Sequence, residues 1–211
     1  MKHIMFDIDG TLLESTEIDS ICFEAAVVSV TKIPIRKDWH SYHNITDSGI
    51  LNEYFKDNNI QNQENTKLRI KEKFISNLKQ ALSVNSITEV PGAKILLRNL
   101  LCKNNISLSI ATGGWLDSAV LKLNSAGISI EEIPIATSDD HYKRIKIMQI
   151  AKSRSVGNVN CACTYFGDGV WDKMASQELK YKFIAVGNKV NHSVKVDNFL
   201  NLQEIYRLLN I

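Results

Sequence analysis

The stretch "IMFDIDGTLL", residues 4–13, joins an apolar run to two carboxylates one residue apart, Asp7 and Asp9, then to a glycine and a threonine. A run of this length and composition fits a buried strand. Period-two geometry would set Asp7 and Asp9 on one side of that strand, at the point where the chain turns. Like charges about 4 Å apart repel by roughly 4 kcal/mol at an effective dielectric of about 20, so a cation is expected beside them. Gly10 permits the unusual backbone angle that a sharp exit needs. Helix capping or plain turn formation is the bland alternative; the pattern as a whole points to a functional site.

Four further apolar runs end in the same manner. Ile106–Ala111 stops at Thr112-Gly113-Gly114, Ile133–Ala136 at Thr137-Ser138-Asp139-Asp140, Ala162–Phe166 at Gly167-Asp168-Gly169, and Lys182–Val186 at Gly187-Asn188. Helical patterns separate them: "AKILLRNLLCKN" (93–104) after Pro91-Gly92, "WLDSAVLKLNSAG" (115–127) with Leu116, Ala119, Val120 and Leu123 on one face, "RIKIMQIAKS" (144–153), and "FLNLQEIYRLLN" (199–210). Alternation of strand and helix predicts an α/β fold with a doubly wound parallel sheet. Such sheets bind ligands beyond the carboxyl ends of their strands, where all five polar endings fall.

Residues 14–89 break the alternation and read as helices only: "STEIDSICFEAAVVSV" (15–30), "TDSGILNEYFK" (46–56) and "NTKLRIKEKFISNLKQAL" (65–82). The expected organisation is a core of residues 1–13 and 90–211 with a helical cap, 14–89, inserted after the first strand.

The 211 residues are 44% hydrophobic, enough for a sizeable core, and the formal net charge of +2 gives no electrostatic case for nucleic acid or an anionic membrane. No segment reaches the roughly 18 apolar residues of a membrane span, and Asp7 and Asp9 interrupt what would be a signal peptide's apolar segment. Four scattered cysteines do not make a disulfide framework, and Cys161-Ala-Cys163 reads as a buried strand rather than a metal or redox pair. A cytoplasmic protein, monomeric or weakly dimeric, is expected.

Asp168 follows a strand directly and Asp172 lies four residues on. Carboxylates delivered from two strand ends suit a hard cation such as Mg2+, which takes oxygen ligands, waters and substrate phosphate. Thr112-Gly113-Gly114 offers a hydroxyl and free backbone N–H groups beside a helix N-terminus, a cradle for an anion. A basic residue from Lys143, Arg144 or Lys146 would hold a phosphoryl group and screen charge.

Asp7-Ile8-Asp9-Gly10-Thr11, then Thr112, a basic residue, and Gly167-Asp168-Gly169-Val170-Trp171-Asp172 resemble, in that order, the haloacid dehalogenase-like superfamily of phosphohydrolases. "HNITDSGIL" (43–51) and "ATGGW" (111–115) resemble members with a helical cap after the first strand. The resemblance implies Asp7 as nucleophile, Asp9 as general acid and base, and Thr112 on the phosphoryl oxygens. It also implies Mg2+ held by Asp7, the Asp9 carbonyl and Asp168, with Asp172 direct or through water. The usual Lys-Pro of the third motif is missing; "Arg144-x-x-Ile147…Ala151" resembles members that use arginine, with Lys143 in reserve. Glu14 stands where many relatives have Asp.

Substrate contacts are expected from Thr112, Gly113, Gly114 and Lys143, and from the cap segment holding Arg36, Lys37, His40, His43, Asn44 and Thr46, of which His43 is the choice. Trp115 is read as packing the helix that follows it. The expected activity is Mg2+-dependent hydrolysis of a small phosphorylated metabolite through an aspartyl-phosphate. A sugar phosphomutase on the same scaffold is the alternative, a non-catalytic binding protein a more distant one, and a dehalogenase is disfavoured because it needs neither Asp9 nor the metal.

Overall fold

A computed structural model describes residues 1–211. Six parallel strands, β1 (Lys2–Phe6), β2 (Ile106–Ala111), β3 (Ile135–Ala136), β4 (Ala162–Gly167), β5 (Lys182–Val186) and β6 (Lys195–Val196), form one sheet in the order β3-β2-β1-β4-β5-β6. β1 is central, with Phe6 paired to Ile110 on one side and to Phe166 on the other. Covered on both faces, β1 is buried from His3 to Phe6, which is why it reads as an unbroken apolar run. The order of the strands reverses beside β1, so the crevice beyond its carboxyl end lies at the switch point.

Helices α4 (Ala93–Leu101), α5 (Leu116–Ser125), α6 (Arg144–Val156), α7 (Val170–Glu178) and α8 (Leu202–Leu209) cover the sheet. β6 and α7 lie outside the sequence expectation. β6 is two residues long, and α7 buries only Asp172, Ala175 and Ser176 while Val170 and Met174 face solvent. The buried face of α5 is Ser118, Ala119, Lys122 and Leu123, not the expected stripe through Leu116, which is exposed. A lysine occupies that face because two carboxylates meet it there, as described below.

Between β1 and β2 the chain forms α1 (Thr16–Thr31), a single 3-10 turn (Trp39–Ser41), α2 (Asp47–Asp57) and α3 (Gln63–Val84). These helices carry their own apolar cluster. Ile70, Phe74 and Leu78, spaced four apart on α3, pack against Cys22, Phe23, Ala26 and Val27 of α1. Trp115, from the β2–α5 loop, joins this cluster with its ring centroid 5.7 Å from Phe23 and 5.9 Å from Phe74. Burial of a tryptophan there ties the helical block to the sheet. The segments entering and leaving the block pair with each other at Leu13 and Glu89.

Candidate active site

β1 ends at Phe6, one residue before the first acid, so Asp7 and Asp9 lie in the turn and their side chains part. This corrects the expectation that both face one way. Gly10 has φ +79, and a Cβ there would overlap the Asp168 carboxylate, so only glycine lets this turn approach the end of β4.

Asp7 enters a cluster with Asp168 and Asp172, whose carboxylate oxygens lie within 4.8 Å of one another. Arg144, at the start of α6, places Nη1 2.9 Å from Asp172 Oδ1 and 3.4 Å from Asp7 Oδ1. The second approach lacks hydrogen-bond geometry, and Asp7 Oδ1 is buried without a donor. Asp172 is held on several sides: Arg144 Nη1 forms an ion pair with Oδ1, the Tyr165 hydroxyl lies 3.2 Å from Oδ1 and 3.0 Å from the Ala111 carbonyl, and Oδ2 accepts from the Gly169 amide. Lys189 Nζ sits 2.7 Å from Asp168 Oδ2.

Burial pushes the Asp7 carboxyl well above the usual range; Arg144 opposes this, and Asp172, Asp168 and Asp9 add to it. Burial also raises Asp168 against the pull of Lys189, and raises Asp172 to about 6 against that of Arg144. Acids this close need added positive charge to ionise together. The hard oxygen donors of Asp7 and Asp168, with one Asp7 oxygen unpaired, fit a divalent cation such as Mg2+.

Asp9 belongs to a different cluster. Lys122 Nζ lies 2.6 and 2.7 Å from its two carboxylate oxygens and also bonds Asp19 Oδ1, while Ser15 donates to Asp9 Oδ1. Lys122 is fully buried; burial disfavours its charge, but Asp19 and Asp9 carry its pKa upward. Burial lifts Asp19 to about 6 despite Lys122. Neither Lys122 nor Asp19 is among the residues expected from sequence, since a lysine within a helix reads as solvated surface.

Thr112 is buried, and its Oγ1 accepts from the Gly114 amide at 3.2 Å, leaving the hydroxyl hydrogen to donate into the crevice. Of the amides in and beside the expected cradle Thr112-Gly113-Gly114, that of Gly114 is taken by Thr112 and those at the start of α5 are taken as well. The Trp115 and Leu116 amides donate to Asp47 Oδ2 and Asp139 Oδ2, so Gly113 supplies the amide left without a protein acceptor. A Cβ on Gly113 would stand 2.5 Å from Arg144 Nη2, so this glycine makes room for the guanidinium.

The helical block closes over these groups. Asp47 N–H donates to the Gly113 carbonyl, Thr46 Oγ1 to that of Tyr142, and Ser48 Oγ to that of Ser138. Together they enclose a cavity of about 330 Å3 reaching from Asp7, Thr112 and Arg144 to Phe23, Trp39 and Ile50. Of the expected cap contacts, His40 and Thr46 line it. His43 does not: its side chain is 89% exposed and its ring faces Glu53. Arg36 turns to Asp57 and Lys37 to Glu24. Lys143 is exposed with its Nζ over the Tyr142 ring, and Lys146 is exposed too, so of the three candidates Arg144 is the cation in the crevice. Trp115 is fully buried, but it packs against Phe23 and Phe74 of the helical block and not, as expected, on the helix that follows it.

A crevice of clustered acids, a hydroxyl and an arginine at the switch point of a doubly wound sheet is the arrangement of an enzyme. The chain belongs to the haloacid dehalogenase-like hydrolase family, whose profile matches residues 4–186. Among curated proteins none matches. Solved structures share the fold over nearly the whole length. A hydrolase from Pseudomonas syringae is 21% identical with a TM-score of 0.77, covering 100% of this chain and 99% of that one. A beta-phosphoglucomutase from Clostridium difficile is 21% identical with a TM-score of 0.73, covering 99% and 96%. CbbY from Rhodobacter sphaeroides, solved with phosphate, is 17% identical with a TM-score of 0.71, covering 95% of each. No helix is long and apolar enough to cross a membrane.

Proposed function

We propose that this protein is a Mg2+-dependent phosphatase that hydrolyses a small phosphomonoester through an aspartyl-phosphate on Asp7. The observation that carries the reading is the Asp7 Oδ1 atom, buried, without a donor, and 3.4 Å from Arg144. Carboxylates engaged only in structure are hydrogen-bonded when buried. One left open between Arg144, Thr112 and Gly113 is placed to meet an electrophile.

Asp7 would attack phosphorus while the Thr112 hydroxyl and the Gly113 amide hold the phosphoryl oxygens. Arg144, fixed by Asp172, would balance the charge that develops on them. Asp9 would give its proton to the leaving oxygen and then take one from the attacking water. Asp7, the Asp9 carbonyl and Asp168 would hold Mg2+, with Asp172 direct or through a water. The cation supplies charge neutralisation of phosphate and of the clustered acids. Residues 14–89 would act as the cap, excluding bulk water and large substrates, with residues 1–13 and 90–211 as the catalytic core.

The test is release of p-nitrophenol from p-nitrophenyl phosphate by the purified protein. Turnover requiring Mg2+, abolished by EDTA and restored by added Mg2+, is expected, and Asp7→Asn protein is expected to be inert. An active Asp7→Asn protein overturns the mechanism.

A further inference from the structure

The half of the cavity away from Asp7 differs from the phosphate end in what it lacks and in what it offers. Two side chains with permanent positive charge line the cavity, Arg144 and Lys189, and both are committed to the phosphate end through Asp172, Asp7 and Asp168. The basic residues of the cap face elsewhere. Arg36 stacks 4.4 Å over the Tyr42 ring and reaches Asp57, and Lys37 bonds Glu24 at 2.7 Å. No cation is therefore free to receive a second anionic group.

The same half is apolar and acidic. Phe23 and Trp39 meet edge to face with centroids 6.2 Å apart, and Ile45 and Ile50 extend that wall. His40 of the cap and Trp171 of α7 stand 5.6 Å apart, centroid to centroid. Asp19 also lines the cavity: Lys122 bonds its Oδ1, and no protein donor meets its Oδ2. Asp47, beside it, accepts from the Trp115 amide through Oδ2 alone. Asp19, with its open Oδ2, repels a carboxylate or second phosphate and attracts hydroxyl or ammonium donors, and Asp47, which burial pushes well above the usual carboxylate range, adds an open Oδ1 acceptor.

We infer that the substrate is a monophosphate of a neutral or amino alcohol, its apolar face against Phe23 and Trp39 and its donor groups toward Asp19. The inference rests on the phosphatase reading and narrows it. It also bears on phosphomutase chemistry. Passing the phosphoryl group from Asp7 to a hydroxyl of a sugar monophosphate breaks the Asp7 Oδ–P bond and forms a new O–P bond, with the hydroxyl proton going to Asp9. The product of that step is a bisphosphate, which this cavity cannot neutralise.

Matched substrates test it by phosphate release in Mg2+, with p-nitrophenyl phosphate as the common reference. Glycerol 3-phosphate is set against 3-phosphoglycerate, and glucose 1-phosphate against glucose 1,6-bisphosphate. The expected kcat/KM is at least about tenfold higher for the first member of each pair. Ile45→Lys, which adds a cation to the apolar wall, is expected to narrow that gap at least about threefold. If p-nitrophenyl phosphate is turned over in an Asp7-dependent manner and the doubly anionic members match or exceed their partners, the inference is overturned while the phosphatase reading stands. If nothing in the set is turned over, the phosphatase reading itself fails, and the inference with it.

Discussion

Two charge clusters flank the turn that follows β1, and they are built on opposite plans. Asp7, Asp168 and Asp172 share Arg144 and Lys189, yet one Asp7 oxygen has no donor. Asp9 and Asp19 share Lys122, which makes three short bonds to them from full burial. The first cluster is left incomplete at its centre, and the second is closed around its cation, with only Asp19 Oδ2 open toward the cavity. An open cluster stores unfavourable electrostatics that a ligand can relieve; a closed one fixes geometry. The two acids of one short motif, Asp7 and Asp9, thus stand in different surroundings: Asp7 keeps an oxygen without a donor, and Asp9 is held by Lys122 and Ser15.

Breaking the open cluster gives the largest effect. Asp7→Asn removes the nucleophile, and turnover of p-nitrophenyl phosphate is expected to fall by about four orders of magnitude or more. The same substitution removes one of several crowded negative charges, so thermal unfolding is expected at the same temperature or higher. Activity lost together with stability would mean that Asp7 is structural.

Breaking the closed cluster is expected to do the reverse. Lys122→Met removes a fully buried cation from Asp9 and Asp19, whose side chains are 20% and 19% exposed at the cavity, at an expected cost of about 3 kcal/mol in urea unfolding. A cost under about 1 kcal/mol would show that the carboxylates find water or protons instead, and that the cluster is not closed in solution.

How far this contrast could be read from sequence depends on the signal each residue leaves. The sheet is legible because parallel strands buried on both faces give apolar runs, unbroken at the carboxyl ends of β1 and β5 and interrupted only by Ser107 and Ser109 in β2 and Thr164 in β4. Asp7, Asp168 and Thr112 were legible as polar endings of those runs. Lys122 was not: in the pattern Ala119-Val120-Leu121-Lys122-Leu123 it looks like one solvated position, and only its partners 103 and 113 residues away explain its burial. His40 lines the cavity and His43, the expected contact, does not, because in a loop no periodicity fixes which of two nearby residues turns inward. Arg144 stands beside two other basic residues, Lys143 and Lys146, and in the sequence only its resemblance to members that use arginine singles it out.

A third buried group sharpens the comparison from the other end of β1. His3 is buried with each ring nitrogen beside a serine hydroxyl, Ser107 Oγ at 2.9 Å and Ser109 Oγ at 3.0 Å. Burial, aided by Lys152, lowers its pKa from 6.5 to about 4. The folded state therefore binds fewer protons than the unfolded chain between these values. His3 lends stability that is whole above about 6.5 and is lost as the pH falls toward 4, by about 3 kcal/mol in all. Asp19 and Asp172, raised to about 6, act with the opposite sign over much of that window, so the whole protein's pH slope does not isolate His3. The loss of unfolding free energy between pH 7 and pH 4.5 is expected to shrink by about 2 kcal/mol in His3→Gln relative to the parent. An unchanged difference would place a protonated His3 in the folded core.

The smallest effect makes the contrast most directly, because it repeats the chemical change of Lys122→Met at the open cluster. Lys189 also bonds a buried aspartate, Asp168, but its own side chain is 57% exposed, against 0% for Lys122. Water can solvate Lys189 when the pair opens, and Asp168 faces the crevice, so Lys189→Met is expected to change unfolding free energy by less than about 1 kcal/mol. Two lysine-to-methionine substitutions, each removing one cation from one aspartate cluster, should then differ by a few kcal/mol in stability. The size of that difference measures how much of each cluster the fold completes by itself. Equal costs would mean that the crevice around Asp168 is as closed as the core around Lys122, leaving no opening there for a cation or a phosphate to enter.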